Sequence, residues 1–318
     1  MPTGVWHATM SSPHSPEDQA AGLRFQDRII PCAHSKQLAY RGFPLVMGIL
    51  NVTPDSFSDG GRFATLEGAR QRAQKMISEG VDLIDVGGES TRPGASFVPL
   101  EEELQRVIPV VERLARILHV PISVDTHKAE VARQSLDVGA CLINDVTAFR
   151  GDSQMISVIV RAKAAVILMH MRGTPQTMQD QPRYGQLVPE ISGWLSHAAQ
   201  QAEVAGVERS RILIDPGLGF GKTLEHNLQL MRGLDAFVAL GYPVVVGPSR
   251  KSFIGKTLDL DVEDRLAGTL ACVAYAQLQG VHIVRVHDVP PAVQVIQMIR
   301  AIEESQGSEK ADALGCQR

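Results

Sequence analysis

Residues 44–52 are PLVMGILNV, a short and almost wholly apolar stretch with the polar Asn51 near its end. Stretches of the same kind, rich in Val, Ile and Leu, recur seven more times along the chain. They are VDLIDVGG (81–88), PISVDTH (121–127), CLINDV (141–146), AAVILMH (164–170), RILIDPG (211–217), YPVVVGPSR (242–250) and VHIVRVHDV (281–289). Continuous apolar character is typical of parallel strands, because helices cover both faces of a parallel sheet.

Longer amphipathic segments separate these stretches and predict helices. The clearest are 66–79, 101–118, 224–240 and 262–279, where apolar residues recur at helical spacing. Eight alternations of strand and helix predict a (β/α)8 TIM barrel, although a doubly wound open sheet alternates in the same way. We expect one barrel domain over residues 26–304, a disordered polar extension over 1–25 and a polar tail over 305–318.

Unusual polar residues fall late in the predicted strands. In TIM barrels the active site lies at the C-terminal ends of the strands, so these side chains are candidate site residues. Arg285 and His287 are two apart in one strand and should project to the same side. The polar strand-end residues are Asn51, Asp85, Asp125, Asn144, Asp215, Arg285 and His287.

Composition excludes several classes of partner. The formal charge is −4, from 31 basic and 35 acidic residues, without the basic excess that nucleic-acid binding requires. No apolar run approaches the roughly 18 residues of a membrane span, and the first residues lack the pattern of a secretory signal. Four cysteines without a C-x-x-C pair are typical of a reducing compartment, so we expect a cytoplasmic protein.

Two loops follow the first two predicted strands on the side of the expected site. Residues 51–61, NVTPDSFSDGG, predict a mobile lid, and Phe57 within it suggests contact with a ligand rather than a plain surface connection. Residues 87–94, GGESTRPG, place Arg92 beside hydroxyl groups, where it could hold a carboxylate or phosphate or could simply be solvated.

Asp125, Asn144 and Asp215 end three different strands, so a closed barrel would bring them together. Carboxylates and an amide suit a heterocycle with an amino-amide edge, because they accept from its donors and the amide also donates. A divalent metal site and simple helix capping are the alternatives.

Residues 215–222, DPGLGFGK, are glycine-rich without forming a nucleotide-binding motif. A P-loop ending at Gly221 and Lys222 would need a glycine at Pro216, and Lys222 replaces the last glycine of a dinucleotide fingerprint. These glycines therefore predict a tight turn between strand and helix. His170 has no second metal ligand at suitable spacing, so we interpret it as a hydrogen-bonded histidine at a strand end.

Basic residues follow the last two strands. SRKS (249–252) follows the seventh strand, and the eighth carries Arg285 and His287. The loops after strands seven and eight often bind phosphate in TIM barrels, and solvation explains basic residues on a buried strand poorly. The sequence therefore predicts a phosphate or pyrophosphate site here.

The motifs together resemble those of the dihydropteroate synthase family, in order, over about residues 44–302. They are MGILNVTPDSFSDGG (47–61), DVGGESTRPGA (85–95), SVDT (123–126), INDV (143–146), LMHM (168–171), DPGLGFGK (215–222), SRKS (249–252) and VRVHDV (284–289). The resemblance implies the eight-stranded barrel and the condensation of 6-hydroxymethyl-7,8-dihydropterin pyrophosphate with p-aminobenzoate, which gives dihydropteroate and pyrophosphate in folate biosynthesis. It also implies a sulfonamide target and a homodimer formed through helices remote from the barrel mouth.

The resemblance assigns roles to residues at matching positions. The pterin would be held by Asp125, Asn144, Asp215 and Lys251, with Met169 packed on it. The pyrophosphate would meet Arg92, Asn51, Arg285 and His287, with Asn51 also contacting Mg²⁺. The p-aminobenzoate pocket would be formed by Phe57, Thr91, Arg92, Pro93, Gly219, Phe220, Ser249 and Lys251.

Three other functions fit parts of the pattern. A pterin-dependent methyltransferase shares the heterocycle site but needs no pyrophosphate site. The presence of Arg285, His287 and the SRKS loop argues against this function. An aldolase would use Lys251 as a Schiff-base lysine, and borohydride trapping would reveal it. A non-catalytic pterin-binding relative is the third, and the intact motif set argues against it.

Overall fold

The computed structural model of the chain describes residues 27–52, 61–90, 94–95 and 97–315, with side chains for all of these except 61–65 and 306–315. Strands alternate with helices along this part of the chain. The strands are β1 (Arg28–Pro31), β2 (Gln37–Tyr40), β3 (Leu45–Asn51), β4 (Leu83–Gly87), β5 (Ile122–Asp125), β6 (Leu142–Asp145), β7 (Ala165–Met169), β8 (Ile212–Asp215), β9 (Val245–Val246) and β10 (Ile283–Val286). The helices are α1 (Gly61–Ser78), α2 (Leu100–Ile117), α3 (Ala129–Asp137), α4 (Met155–Ala162), α5 (Leu187–Val204), α6 (Leu224–Arg232), α7 (Leu234–Val238), α8 (Ser252–Leu258), α9 (Leu266–Leu278) and α10 (Val289–Gly315).

Strands β3 to β10 form one parallel sheet that curves into a barrel. Their order is β8-β7-β6-β5-β4-β3-β10-β9, and a parallel bridge between Ile214 and Val244 joins the two ends. The predicted TIM barrel is therefore confirmed, and the open doubly wound sheet is excluded. All of the predicted strand regions contain a strand, and their apolar side chains form the core.

Three predicted elements are shorter or divided. Strand β9 has only two residues, because Pro243 and Pro248 flank it and proline has no N–H for a strand ladder. The single helix predicted over 224–240 is two helices, α6 and α7, that meet at Gly233. The segment 262–279 begins as a 3₁₀ turn and becomes helical only at Leu266.

An antiparallel hairpin of β1 and β2 precedes the barrel, and the sequence analysis did not predict it. It packs against the N-terminal ends of the barrel strands. The Ala33 N–H donates to the Cys141 carbonyl at 3.1 Å, and the Arg28 side chain donates to the Gly241 carbonyl at 2.9 Å. The hairpin thus covers the end of the barrel opposite the candidate site.

The helices bury apolar faces against the sheet. Helix α2 starts after Pro99, carries three glutamates in its first turn and buries Val107, Val110 and Leu114. Acidic residues stabilise the positive N-terminal end of a helix dipole. Helix α10 continues to Gly315, past the residue at which the polar tail was expected to start. No helix among the described residues is both long and apolar enough to cross a bilayer.

Candidate active site

Side chains from five barrel strands, β5 to β8 and β10, surround one pocket. Asp125 ends β5, Asn144 lies on β6, Met169 ends β7 and Asp215 ends β8, and all four are at least nine-tenths buried. The structure therefore brings the three polar residues together, as a closed barrel requires. The residues that line the pocket are Asp125, Asn144, Val146, Met169, Asp215, Leu218, Phe220, Gly247, Lys251 and Arg285.

Arg285 ties the floor of this pocket together. Its Nε donates to Asp85 Oδ2 at 2.6 Å, and its Nη2 donates to Asp125 Oδ2 at 2.8 Å. Asn144 Nδ2 donates to the same Asp85 oxygen at 3.2 Å. Four strands are thus joined by charge-assisted hydrogen bonds, which are stronger than those between neutral groups.

Two carboxylates of the pocket are shifted toward their protonated forms. Burial raises the pKa of Asp125 to about 7, against the opposing charge of Arg285. Burial raises the pKa of Asp215 to about 6, against the Gly217 N–H and the charge of Lys251. A strongly shifted pKa in a cleft is typical of functional residues.

One oxygen of Asp125 is left without a donor. Asp125 Oδ1 is buried and accepts no hydrogen bond from any described residue. A buried acceptor without a donor costs about 1–3 kcal/mol, and a ligand N–H would remove that cost. Asp125 therefore offers an acceptor to whatever occupies the pocket.

The turn after β8 depends on its glycines, as predicted for residues 215–222. Gly217, Gly219 and Gly221 all have positive φ, the region that favours glycine. A Cβ on Gly217 would lie 2.0 Å from the His170 carbonyl oxygen. The Gly217 N–H donates to Asp215 Oδ1 at 2.7 Å, so the turn also fixes the carboxylate.

The same turn places Gly219 and Phe220 against Lys251. Lys251 Nζ donates to the Leu218 carbonyl at 2.8 Å and lies 4.1 Å from the centre of the Phe220 ring. A Cβ on Gly219 would lie 3.1 Å from Lys251 Cδ, so glycine allows this close approach. These residues form a wall with an aromatic face and a positive charge.

Ser249 and His287 lie beside one another at the end of β9 and β10. Ser249 Oγ is 2.9 Å from His287 Nδ1, and it accepts from the His287 N–H at 3.2 Å. Arg250, in the same SRKS loop, is taken up by a bidentate pair with Asp288 at 2.9 and 2.6 Å. Its guanidinium group thus anchors the loop.

Asn51 is half-buried at the end of β3, next to the last residue of β4. Its Oδ1 would be 3.6 Å from a Cβ on Gly87, and Asp125 would be 3.7 Å from the same position. Asn51 therefore lies at the mouth of the pocket, near Asp125. The predicted residues Phe57, Thr91, Arg92 and Pro93, and most of the predicted lid, lie outside the described residues.

His170 is the hydrogen-bonded strand-end histidine that was predicted. Lys222 Nζ lies 3.0 Å from His170 Nδ1, 3.2 Å from the His170 carbonyl and 2.9 Å from the Phe220 carbonyl. Burial and the charge of Lys222 lower the pKa of His170 to about 3, and burial holds the pKa of Lys222 well below its usual value. Lys222 thus links the ends of β7 and β8, a role that its position in a failed P-loop pattern did not suggest.

Asp85 is the main site residue whose role the sequence did not predict. The sequence shows that Asp85 is polar and lies late in its strand, but it does not indicate which residues Asp85 contacts. It is fully buried and holds both Arg285 and Asn144. The signal was a second aspartate inside an otherwise apolar strand, which requires a buried partner.

Known proteins resemble this chain over most of its length. The family model described as pterin binding enzyme matches residues 47–287. The dihydropteroate synthase of Escherichia coli K12 is 48% identical over 258 residues, which cover 81% of this chain and 91% of that protein.

Solved structures give the same result. The crystal structure of Yersinia pestis dihydropteroate synthase in complex with a sulfonamide drug has a TM-score of 0.81 and 44% identity. The Xanthomonas albilineans dihydropteroate synthase with 4-aminobenzoic acid has a TM-score of 0.80 and 43% identity. Each match covers 86% of this chain and 98% of the other.

Proposed function

The chain belongs to the pterin-binding enzyme family, among the dihydropteroate synthases, and from this premise we propose how its pocket performs the reaction. The reaction joins 6-hydroxymethyl-7,8-dihydropterin pyrophosphate to p-aminobenzoate with formation of a C–N bond. The observation that carries the assignment of residues is the convergence of Asp125, Asn144, Asp215, Lys251 and Arg285 on one pocket.

The buried half of the pocket suits a pterin. A pterin has amino and ring N–H donors next to a carbonyl acceptor. Asp125 and Asp215 provide carboxylate acceptors, and the Asn144 amide provides both a donor and an acceptor. Met169 offers an apolar surface on which the ring can pack, and Asp125 Oδ1 is the acceptor that still lacks a donor.

The outer wall suits p-aminobenzoate. The Phe220 ring and the Gly219 backbone form a flat surface beside the positive charge of Lys251. An aromatic ring can stack there, and a cation nearby favours its carboxylate. Ser249 follows β9 next to this wall, and Phe57, Thr91, Arg92 and Pro93 would complete the pocket.

The pyrophosphate would lie beside His287, Arg285 and Asn51, and the family resemblance also assigns Arg92 to it. Histidine and arginine donors aimed at the leaving group stabilise the negative charge that develops on it. In the proposed step the C–O bond to pyrophosphate breaks and its electron pair leaves with pyrophosphate. The aryl amine then forms the C–N bond and releases a proton, so no covalent enzyme intermediate is needed.

Magnesium is proposed as the cofactor. The described residues contain no group of three or more His, Cys, Asp or Glu side chains that could hold a metal. Mg²⁺ is commonly bound mainly by substrate phosphates and water. Asn51 would then give it one amide oxygen from the protein. When bound, Mg²⁺ would offset the charge of the leaving pyrophosphate.

The test is turnover by the purified full chain with both substrates and magnesium. We expect dihydropteroate and pyrophosphate in equal amounts, and loss of both with Asp215→Ala or Lys251→Ala. Asp235→Ala, on the short helix α7, is a control that should retain turnover. Absence of both products from the wild type would contradict the proposal, and covalent trapping by borohydride with an added carbonyl substrate would instead indicate a Schiff base on Lys251.

We also propose a homodimer. Helices α6, α8 and α9 pack on one another, and their outer faces expose large apolar residues. Several exposed large apolar side chains on helices that pack together are typical of a protein interface, and a two-fold dimer would pair this surface with itself. The exposed residues on these helices are Leu228, Leu258, Leu266, Tyr275 and Leu278.

Sedimentation equilibrium tests the dimer. Leu258→Asp should convert the wild-type dimer to a monomer, because it places a charge in the apolar interface. Val204→Asp, at a residue 91% exposed on α5, is the matched control and should remain dimeric. A monomeric wild type, or an equally dimeric Leu258→Asp variant, would contradict the proposal.

A cytoplasmic location is the remaining proposal. Cys32 and Cys141 are near enough for the Cys141 thiol to raise the pKa of Cys32, yet both are free. Adjacent free thiols fit a reducing compartment. Cell fractionation should place the protein with cytoplasmic markers, and recovery with an oxidising compartment would contradict this.

A further inference from the structure

A second cavity lies on the other side of the end of β7. Met169 faces the pterin pocket, whereas the next residue, His170, lines the second cavity, because successive side chains along an extended chain point to opposite sides. This cavity encloses about 550 Å³, part of it open to solvent. Its polar and aromatic lining is Arg150, His170, Arg172, Tyr184, Glu190 and Trp194.

Two arginines provide the charge of this cavity. The Arg150 guanidinium lies 5.0 Å from the centre of the Trp194 ring, and the Arg172 guanidinium lies 4.8 Å from that of Tyr184. Arg150 also donates to the Met171 carbonyl at 2.7 Å. Both groups are therefore held in place on the cavity wall by aromatic faces and backbone carbonyls.

Within the part of the chain that has described side chains, Arg150 and Arg172 form no salt bridge. By contrast, Arg285 and Arg250 are paired with aspartates. Burial lowers the pKa of Arg150, and the charge of Asp145 opposes that shift.

One carboxylate, that of Glu190, lines the same cavity and offsets part of this charge. Glu190 Oε1 accepts the Gly185 and Gln186 N–H groups at 2.6 and 2.7 Å, so it closes a turn at the start of α5. His170 is neutral and is held at Nδ1 by Lys222 at 3.0 Å. The cavity therefore presents two exposed guanidinium groups, each beside an aromatic ring, and one carboxylate to a space that is open to solvent.

We propose that this cavity is a second anion-binding site, distinct from the pyrophosphate position, and that it binds a phosphate-type oxyanion between Arg150 and Arg172. A tetrahedral oxyanion has enough oxygens to accept from both guanidinium groups at once and to compensate the positive charge that Glu190 leaves, whereas a carboxylate has only two oxygens. Inorganic phosphate and the product pyrophosphate share this chemistry.

Trp194 allows the site to be tested separately from the active site. The chain has two tryptophans, Trp6 and Trp194, so Trp6→Phe leaves an indole only in this cavity. Inorganic phosphate and pyrophosphate are titrated separately, at constant ionic strength, while the emission of Trp194 is followed. We expect a saturable change with at least one of the two anions. The anion with the lower dissociation constant is the one that the site prefers.

The variants decide whether the arginines bind the anion. Arg172→Met should weaken binding at least about tenfold, because a charge-assisted bidentate contact is lost. Arg116→Met, at an exposed arginine paired with Glu112, is the matched control, and His287→Gln removes a group from the pyrophosphate position. Both should leave the titration unchanged.

Three results would overturn the proposal: no saturable response of Trp194, an unchanged dissociation constant in Arg172→Met, or loss of the response in His287→Gln. Arg172→Lys keeps the charge but loses the bidentate fork. If Arg172→Met does not fold, Arg172→Lys must still bind more weakly than the wild type, and equal binding would contradict the proposal.

Discussion

Asp85 should be the anchor of the pocket floor, and replacing it with asparagine tests this. Asp85→Asn keeps the shape of the side chain and removes its charge. The fully buried carboxylate accepts from Arg285 Nε at 2.6 Å and from Asn144 Nδ2 at 3.2 Å. The amide oxygen of the variant can still accept from Asn144. The interaction that is mainly weakened is therefore the ion pair between residue 85 and Arg285.

The expected cost follows from the bonds that remain. A hydrogen bond to a charged group contributes about 1.5–3 kcal/mol. Breaking a buried ion pair outright costs about 3–5 kcal/mol, but Arg285 keeps its 2.8 Å bond to Asp125. We therefore expect Asp85→Asn to lower the free energy of unfolding by about 2 kcal/mol.

Urea denaturation measures this loss as a lower midpoint at an unchanged slope. Asp82→Asn is the matched control, because the Asp82 carboxylate accepts from the Val46 N–H at 2.7 Å without an arginine partner. It should cost about 1 kcal/mol or less. The Arg285→Met background should reduce the effect of Asp85→Asn by at least about 1 kcal/mol, since coupled residues are not additive. An equal effect in both backgrounds would refute the assigned role.

Three further predictions concern the turn after β8. Because the folded pKa of Asp215 is raised from 3.8 to about 6, its stabilising contribution is complete below about pH 4 and is lost as pH rises through 6. The unfolding free energy of the wild type should therefore fall over this range relative to that of Asp215→Asn, whereas a parallel pH dependence would contradict the raised pKa. Gly217→Ala should destabilise the protein at least about 2 kcal/mol more than Gly94→Ala, because Gly94 has a similar φ but nothing within 4 Å of the added Cβ. Equal urea midpoints for these two variants would contradict the close packing of Gly217. Lys222→Met should cost about 1–3 kcal/mol, because it leaves the His170 and Phe220 carbonyls without a donor, and a urea midpoint equal to that of the wild type would refute this.

Much of the barrel could be predicted from the sequence, because its signal is local. Each buried parallel strand is a continuous apolar run, which can be recognised without knowing which strands lie beside it. The short strand β9 and the break at Gly233 depend on single prolines and glycines, whose effects on length are harder to predict. The hairpin of β1 and β2 was not predicted, because neither of its strands, RIIP and QLAY, is a continuous apolar run.

The site was predictable to the extent that it lies at strand ends. The positions of Asp125, Asn144 and Asp215 followed once the strands were assigned to a barrel. The pairing of Asp85 with Arg285 could not be predicted, because these residues are 200 positions apart and meet only when β3 brings β4 and β10 together. The contacts of Lys222 likewise depend on the path of the turn after β8.

A crystal structure of the full chain with 6-hydroxymethyl-7,8-dihydropterin pyrophosphate would test the central claim most directly. We expect the bicyclic ring between Met169 and the carboxylates of Asp125 and Asp215, with a ring or amino nitrogen within hydrogen-bond distance of Asp125 Oδ1. The pyrophosphate should point toward His287. A ring bound outside this pocket, with Asp125 Oδ1 still lacking a donor, would contradict the assignment.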